Sequence, residues 1–220
     1  MSEERHITIT ISRQMGSGGA YIGYLVAKEL GFKYVDREIL RQAAERLGTD
    51  VRMLEDLSER SPGIIEAIIK GFSYGTSEGG FLQPMRPPVY SRDLFTMECK
   101  IIQEIADQYN AVIIGRGGFY ALKERPGVIR VFIHAPREFR VKRVMQAQNI
   151  TDIREARNKV KDSDQSRTKY IRDMAGFDWI DSRNFHLCID SSFIGFRESA
   201  KMIGILAKKI KLSDQGNGKE

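Results

Sequence analysis

The sequence has little cysteine, one tryptophan and no long apolar run. Its two cysteines, Cys99 and Cys188, are too few for a disulfide framework and lack the spacing of metal ligands. No apolar stretch approaches the length of a membrane span, and the first residues contain no apolar signal segment. These absences exclude a disulfide-stapled or membrane-spanning class and predict a cytoplasmic location. Cys188 falls on an apolar segment and is expected in the core.

Positive charge is concentrated in one part of the chain. The 220 residues carry a formal net charge of +6, and residues 137–172 hold eleven Lys or Arg against five Asp or Glu, so this segment accounts for all of it. Such a segment predicts either a nucleic-acid surface or a pocket for phosphates. Only two aromatic residues, Phe139 and Tyr170, lie among these charges. That scarcity disfavours stacking on single-stranded nucleic acid, so a nucleic-acid partner is not expected.

The order of apolar segments predicts the fold. A helical pattern from Ala20 ends at Gly31, a typical C-cap, and continuous apolar runs elsewhere are typical of strands buried on both faces. We expect an α/β doubly wound domain with a five-stranded parallel sheet over residues 1–212, followed by a disordered tail at 213–220. The strands are expected at 6–12, 32–35, 111–114, 128–133 and 185–189.

A glycine-rich turn follows the first strand and precedes a helix. In a doubly wound sheet, ligands bind at the carboxyl ends of the strands, and such a turn presents backbone N–H groups and a helix dipole to a phosphate. Against the P-loop pattern G-x-x-x-x-G-K-[ST], Gly19 occupies the lysine position, and Ala20 or Tyr21 lies near the hydroxyl position. Arg13, at the loop entrance, is the candidate for supplying the missing charge. The predicted phosphate-binding residues are Gly16, Ser17, Gly18, Gly19, Ala20 and Tyr21.

Two other interpretations of this turn stay open. The glycines could serve only the packing of the strand against the helix. A dinucleotide-binding fingerprint is the other alternative, because Gly16 and Gly18 supply its G-x-G and Asp36 supplies an acid after the second strand. Tyr21, however, occupies the position of the third glycine in that fingerprint.

Five segments occur in a familiar order: ITISRQMGSGG, FKYVDREIL, VIIGRGG, VFIHAPREFRVKRV and DSDQSRTKYIRDMAGFDWID. Together they resemble the cytidylate kinase-like family, a branch of the P-loop nucleoside monophosphate kinases, from residue 7 to about 205. The resemblance implies a core with a helical acceptor-binding region at about 36–109 and a lid at about 137–178. It also implies transfer of the ATP γ-phosphoryl group to a nucleoside monophosphate, CMP or dCMP being typical, with Mg²⁺ as the accompanying ion.

The resemblance also assigns roles to single residues. It places the acceptor nucleotide on a set of charged and glycine positions: Asp36, Arg41, Arg116, Gly117, Asp164 and Arg167. Arginine suits phosphoryl transfer because its planar fork binds phosphate oxygens and keeps its charge. The catalytic candidates, from the loop entrance and the lid, are Arg13, Arg140, Arg143 and Arg167.

The chain departs from the family pattern at several of these positions. Gly19 replaces the P-loop lysine, Gly117 replaces an aspartate, and Arg41 lies one position from the expected arginine. An alternative function is therefore a nucleotide-binding or regulatory protein with impaired catalysis. For the lid there is a structural alternative as well, in which its charges form solvated ion pairs such as Asp164 with Arg167 at i, i+3.

Overall fold

The computed structural model describes residues 6–36, 92–115 and 117–216, with side chains up to residue 210. The strands of this part of the chain form one parallel sheet in the order β2-β3-β1-β4-β5. They are β1 (Thr8–Arg13), β2 (Lys33–Val35), β3 (Ala111–Ile114), β4 (Val128–His134) and β5 (Leu187–Asp190). The predicted five-stranded parallel sheet is confirmed.

Helices connect the strands and cover both faces of the sheet. They are α1 (Gly19–Leu30), α2 (Arg92–Gln108), α3 (Gly118–Ala121), α4 (Arg137–Gln148), α5 (Ile153–Ala175), α6 (Ser191–Ile194) and α7 (Phe196–Gly216), with a 3-10 turn at Ser182–Asn184. Gly31 caps α1 as predicted, with φ of 68° and its N–H donating to the carbonyl of Ala27. None of the helices in the described ranges has the length and apolar character needed to cross a membrane.

Isoleucine and threonine alternate along β1, so the strand presents a different residue type to each face of the sheet. Ile9 and Ile11 are buried in a cluster with Ile22 of α1 and Ile203 of α7. This cluster fixes α1 against the sheet, and with it the loop that leads into α1.

The opposite face carries the threonines of β1 and the apolar stripe of α2. Thr10 lies close to Gly118 of α3. Ile101 and Ile105 of α2 pack with Ile113 of β3 in a second cluster. With helices on both faces, ligands have access to the sheet at its carboxyl edge, where the predicted site residues are concentrated.

Several predictions fall on residues that the structure does not describe. They include most of the acceptor-binding region, at 37–91, together with Arg41 and Arg116. The last helix, α7, extends to Gly216 and so enters the segment predicted as a tail, whose residues 217–220 are outside the described ranges.

The prediction that Cys188 lies in the core is wrong, because its strand, β5, is at the edge of the sheet and the side chain is exposed. Cys99, on α2, is partly buried, and burial together with the neighbouring Glu98 carboxylate raises the pKa of its thiol to about 12. At about pH 8 such a thiol is almost wholly protonated and reacts slowly.

We therefore expect a thiol reagent to modify Cys188 in the native protein at least about 10-fold faster than Cys99, since exposure and thiolate fraction both govern the rate. Mass spectrometry of time points reports each site. The Cys188→Ser variant should lose the fast phase, and unfolding in urea should make both sites reactive. Equal native rates at the two sites would contradict the burial of Cys99.

Candidate active site

The loop between β1 and α1 has a backbone that only glycine adopts easily. Gly16 has φ of 82° and Gly18 has φ of 79°. Close neighbours also limit these positions, because a Cβ atom on Gly16 would lie 2.6 Å from the carbonyl oxygen of Arg140 and one on Gly18 would lie 2.7 Å from the ring of Phe196. Both glycines are thus required by conformation and by space.

Hydrogen bonds tie the loop to β4. The amide of Gln14 donates to the carbonyl of Ile133 at 3.0 Å. The hydroxyl of Ser17 donates to the carbonyls of Gln14 at 2.9 Å and Ile133 at 3.2 Å. The buried Ser17 side chain therefore holds the curve of the loop.

Three successive carbonyls of the loop accept hydrogen bonds from three side chains. Arg140 Nη1 donates to Met15 O at 3.2 Å. Arg143 Nη1 donates to Gly16 O at 2.6 Å, and Ser191 Oγ donates to Ser17 O at 2.6 Å. Because a trans peptide points its N–H opposite to its carbonyl, the following amides face away from these side chains. Such an arrangement can present the amides of Gly16 and Gly18 to an anion, whereas the amide of Ser17 donates to the carbonyl of Gln14 at 3.3 Å.

Arg140 is buried and joins the loop to the predicted lid. Its Nε donates to the carbonyl of Ala135 at 2.9 Å, and Nη1 lies 2.7 Å from Asp164 Oδ2 on α5. Asp164 in turn lies 3.7 Å from Arg167, at i, i+3. The structure thus brings three of the predicted site residues, Arg140, Asp164 and Arg167, into one charged cluster beside the loop.

Arg143, also buried, lies against an aromatic ring. Its guanidinium is 4.3 Å from the ring centroid of Phe196, a cation–π distance. Burial lowers the pKa of Arg143 to about 10, which leaves the group charged at neutral pH. A fixed positive charge therefore lies against the loop between β1 and α1.

Arg13 lies on the other side of the loop, between α1 and β3. A Cβ atom on Gly19 would lie 2.5 Å from Arg13 Cβ, and one on Gly115 would overlap Arg13 Nη1. Burial, the largest effect, and the charge of Asp36 raise the pKa of Tyr34 well above its usual range. The charge of Arg13 acts in the opposite direction and lowers this pKa. Arg13 thus lies within electrostatic reach of the end of β2.

On the acceptor side, the described residues contain part of the predicted site. Asp36 follows β2, and Gly117, with φ of 73°, precedes α3 at the end of β3. A Cβ atom on Gly117 would lie 3.1 Å from the ring of Phe95, so glycine at this position leaves room for that ring. Arg116 and Arg41 belong to the part of the chain that is not described.

Ala20 and Tyr21 lie in the first turn of α1, and neither supplies a serine or threonine hydroxyl at the magnesium position of the P-loop pattern. Tyr21 packs edge-on against Phe196, with ring centroids 6.3 Å apart. The described ranges contain no cluster of three or more His, Cys, Asp or Glu side chains. An ion that accompanies a nucleotide would therefore be held here mainly by phosphate oxygens and water, as Mg²⁺ commonly is.

The exposed part of the basic segment forms ion pairs at the surface. Arg157 pairs with Glu138 at 3.1 Å, and Lys159 pairs with Glu155 at 3.1 Å, all four side chains being well exposed. These contacts match the solvated alternative for the lid charges.

Sequence reasoning missed four residues around the site. Ser191 follows a strand end, so the rule that ligands gather at carboxyl edges could have identified it. Gln14 and Phe196 had no signal, because their roles depend on contacts between distant segments. Glu98 had none either: it is fully buried on α2 and accepts a hydrogen bond from Tyr170 of α5 at 3.1 Å.

Comparison with known sequences identifies relatives along most of the chain. The model of the Cytidylate kinase-like family matches residues 8–193. A cytidylate kinase from Methanopyrus kandleri is 24% identical over 188 residues, which cover 84% of this chain and 85% of that protein.

Solved structures share the fold. An uncharacterized protein from Eubacterium ventriosum superposes with a TM-score of 0.68 at 21% identity, over 92% of this chain and 99% of that one. A gluconokinase from Sinorhizobium meliloti superposes with a TM-score of 0.51 at 13% identity, over 95% and 98% of the two chains. Both are similar in the arrangement of strands and helices, which is all that identities of this size establish.

Proposed function

Because this chain belongs to the cytidylate kinase-like family, we propose that it transfers the γ-phosphoryl group of ATP to a nucleoside monophosphate, CMP or dCMP. An oxygen of the acceptor phosphate bonds to the γ-phosphorus while the bond to the β–γ bridging oxygen breaks. The products are ADP and a nucleoside diphosphate. Mg²⁺ would be bound by the ATP phosphates and would offset part of their negative charge.

The observation that carries the proposal is the loop after β1. Gly16 and Gly18 have positive φ, and the carbonyls of Met15, Gly16 and Ser17 accept hydrogen bonds from outside donors. A loop held in this way presents amides without reorganisation when the phosphates bind, which is how preorganised sites stabilise charge.

The charged cluster supports the same function. Arg140, Asp164 and Arg167 connect the loop to α5, the long helix of the predicted lid. In phosphoryl transfer the protein mainly positions two anions and excludes water. A lid whose position is tied to the phosphate loop by a buried ion pair suits that requirement. The relative from Methanopyrus kandleri, called a cytidylate kinase, supports a cytidine acceptor.

A second candidate is a protein that binds nucleotides without turnover, and Gly19 favours it because a lysine is expected there. The two candidates differ in one measurement. Coupled detection of ADP release with CMP, dCMP, UMP, AMP and GMP should show turnover that depends on a cytidine acceptor. Calorimetric binding of ATP with no turnover on any of the five would favour the second candidate.

Arg116 gives the sharpest mutational test of the acceptor site. Arg116→Ala is expected to lower kcat/KM for the acceptor by about 100-fold or more, because an arginine that binds and orients the acceptor phosphate contributes several kcal/mol in the transition state. The steady-state assay is run beside Arg125→Ala, which precedes β4 at the amino edge of the sheet and should keep full activity. Equal activity of the two variants would contradict the proposed site.

A further inference from the structure

The side chain of Arg13 fills the space that a side chain at position 19 would need. A Cβ atom on Gly19 would lie 2.5 Å from Arg13 Cβ and 3.0 Å from Arg13 Cγ. Real Cβ atoms do not approach other atoms this closely in packed interiors. A lysine at position 19 and an arginine at position 13 therefore exclude one another in this backbone.

The far end of the same side chain reaches the neighbouring strand. A Cβ atom on Gly115 would overlap Arg13 Nη1, so the guanidinium lies against the end of β3. Tyr34, in β2, lies within electrostatic reach of Arg13. The guanidinium thus lies at the carboxyl ends of β1 and β3.

Arg13 therefore lies against a residue of the loop, Gly19, and against Gly115, which is two residues before Gly117. The loop at residues 14–19 belongs to the donor side, whereas Asp36 and Gly117 belong to the predicted acceptor side. In the usual P-loop, a lysine from the loop reaches the β- and γ-phosphates. Arg13 is the last residue before the loop. Its side chain extends from Gly19, which its Cβ approaches, to Gly115, which its Nη1 approaches.

We propose that Arg13 replaces the absent P-loop lysine: its guanidinium contacts the phosphoryl group being transferred, and Gly19 is a glycine because that side chain occupies its space. The inference rests on the proposed function. A guanidinium binds two phosphate oxygens at once, so it supplies the missing charge in a bidentate form. The positive charge that a loop lysine would supply then comes from Arg13, at the end of β1.

The first experiment tests the shared space through stability alone. Gly19→Ala is made in the natural chain and in the Arg13→Gly variant, and thermal unfolding is followed by circular dichroism. We expect Gly19→Ala to lower the midpoint by several degrees in the natural chain and by less than half of that beside Arg13→Gly, since contacting residues are not additive. Equal losses in the two backgrounds would overturn the mutual exclusion.

The second experiment tests the charge through nucleotide binding. Calorimetry with ATP and ADP is expected to show that Arg13→Gly weakens ATP binding about 10- to 100-fold, as the loss of a charge-assisted phosphate contact does, and weakens ADP binding less. The double variant, Arg13→Gly with Gly19→Lys, should bind ATP at least about 10-fold more tightly than Arg13→Gly alone. Arg183→Ala, in the 3-10 turn before β5, is the control and should bind ATP like the natural chain.

The outcomes separate this inference from the proposed function. If the natural chain binds ATP without turnover, the kinase proposal fails, and a selective loss of ATP binding in Arg13→Gly still supports Arg13 as the phosphate contact. If the natural chain turns over and folded Arg13→Gly keeps its ATP affinity and its kcat, the inference is overturned and the function stands. Absence of ATP binding by the natural chain overturns both.

Discussion

Replacing Arg140 with alanine is expected to lower the free energy of unfolding by about 3 kcal/mol, because removal of one member of a buried ion pair leaves the other uncompensated. The buried guanidinium donates to the carbonyls of Ala135 and Met15 and pairs with Asp164 at 2.7 Å. The estimate is at the lower end of the range for buried pairs, since Asp164 is partly accessible to water. Urea denaturation monitored by the fluorescence of Trp179 measures the change.

The matched control for Arg140 lies in the same basic segment. Arg157 pairs with Glu138 at 3.1 Å, and both side chains are well exposed. Arg157→Ala should therefore change the free energy of unfolding by less than about 1 kcal/mol, as is usual for surface pairs. The Arg140→Ala variant should also bind ATP more weakly, because the carbonyl of Met15 loses its donor. Equal effects of the two substitutions on stability would mean that Arg140 is not a structural link.

Gly16→Ala is expected to lower the free energy of unfolding by about 3 kcal/mol and to abolish nucleotide binding. The positive φ of 82° contributes about 1 kcal/mol for any residue with a Cβ atom. The remainder comes from a collision, because the new Cβ atom would lie 2.6 Å from the carbonyl oxygen of Arg140. That oxygen belongs to the backbone of α4 and has no rotamer into which it can move.

Gly31 separates the two contributions. It has a positive φ of 68°, and no atom lies within 4 Å of the position that its Cβ would occupy. Gly31→Ala should therefore cost only the conformational part, about 1 kcal/mol. Denaturation of the two variants side by side measures the difference, which is the cost of the collision. A cost as small at Gly16 as at Gly31 would show that the loop and α4 are not in tight contact.

The sequence was sufficient to predict the sheet and the position of the loop. Apolar runs mark the strands regardless of their neighbours, and the change from the alternation of β1 to the helical period of α1 places the glycines between them. The parallel topology then places this loop at the carboxyl edge of the sheet. Cys188 shows the limit of this reasoning, because an apolar strand sequence does not reveal that β5 is the outermost strand.

The roles of the lid arginines could not be predicted in the same way. Spacing at i, i+3 puts Arg140 and Arg143 on one face of α4, but it does not show what that face contacts. In the structure the face packs against the loop, so both guanidiniums bind its carbonyls. Such contacts join segments more than a hundred residues apart, and only the fold brings them together. The basic residues of this segment accordingly include buried groups that hold the loop and exposed groups that form surface pairs.

Following the γ-phosphoryl group of ATP tests the proposed phosphoryl transfer most directly. The natural chain is incubated with Mg²⁺, CMP and ATP labelled with ³²P at the γ-phosphate, and the nucleotides are separated by thin-layer chromatography. We predict that the label moves into CDP, one molecule for each ADP formed, and that this transfer requires CMP. Label that stays in ATP, or that appears only as inorganic phosphate while ATP is bound, would contradict the account.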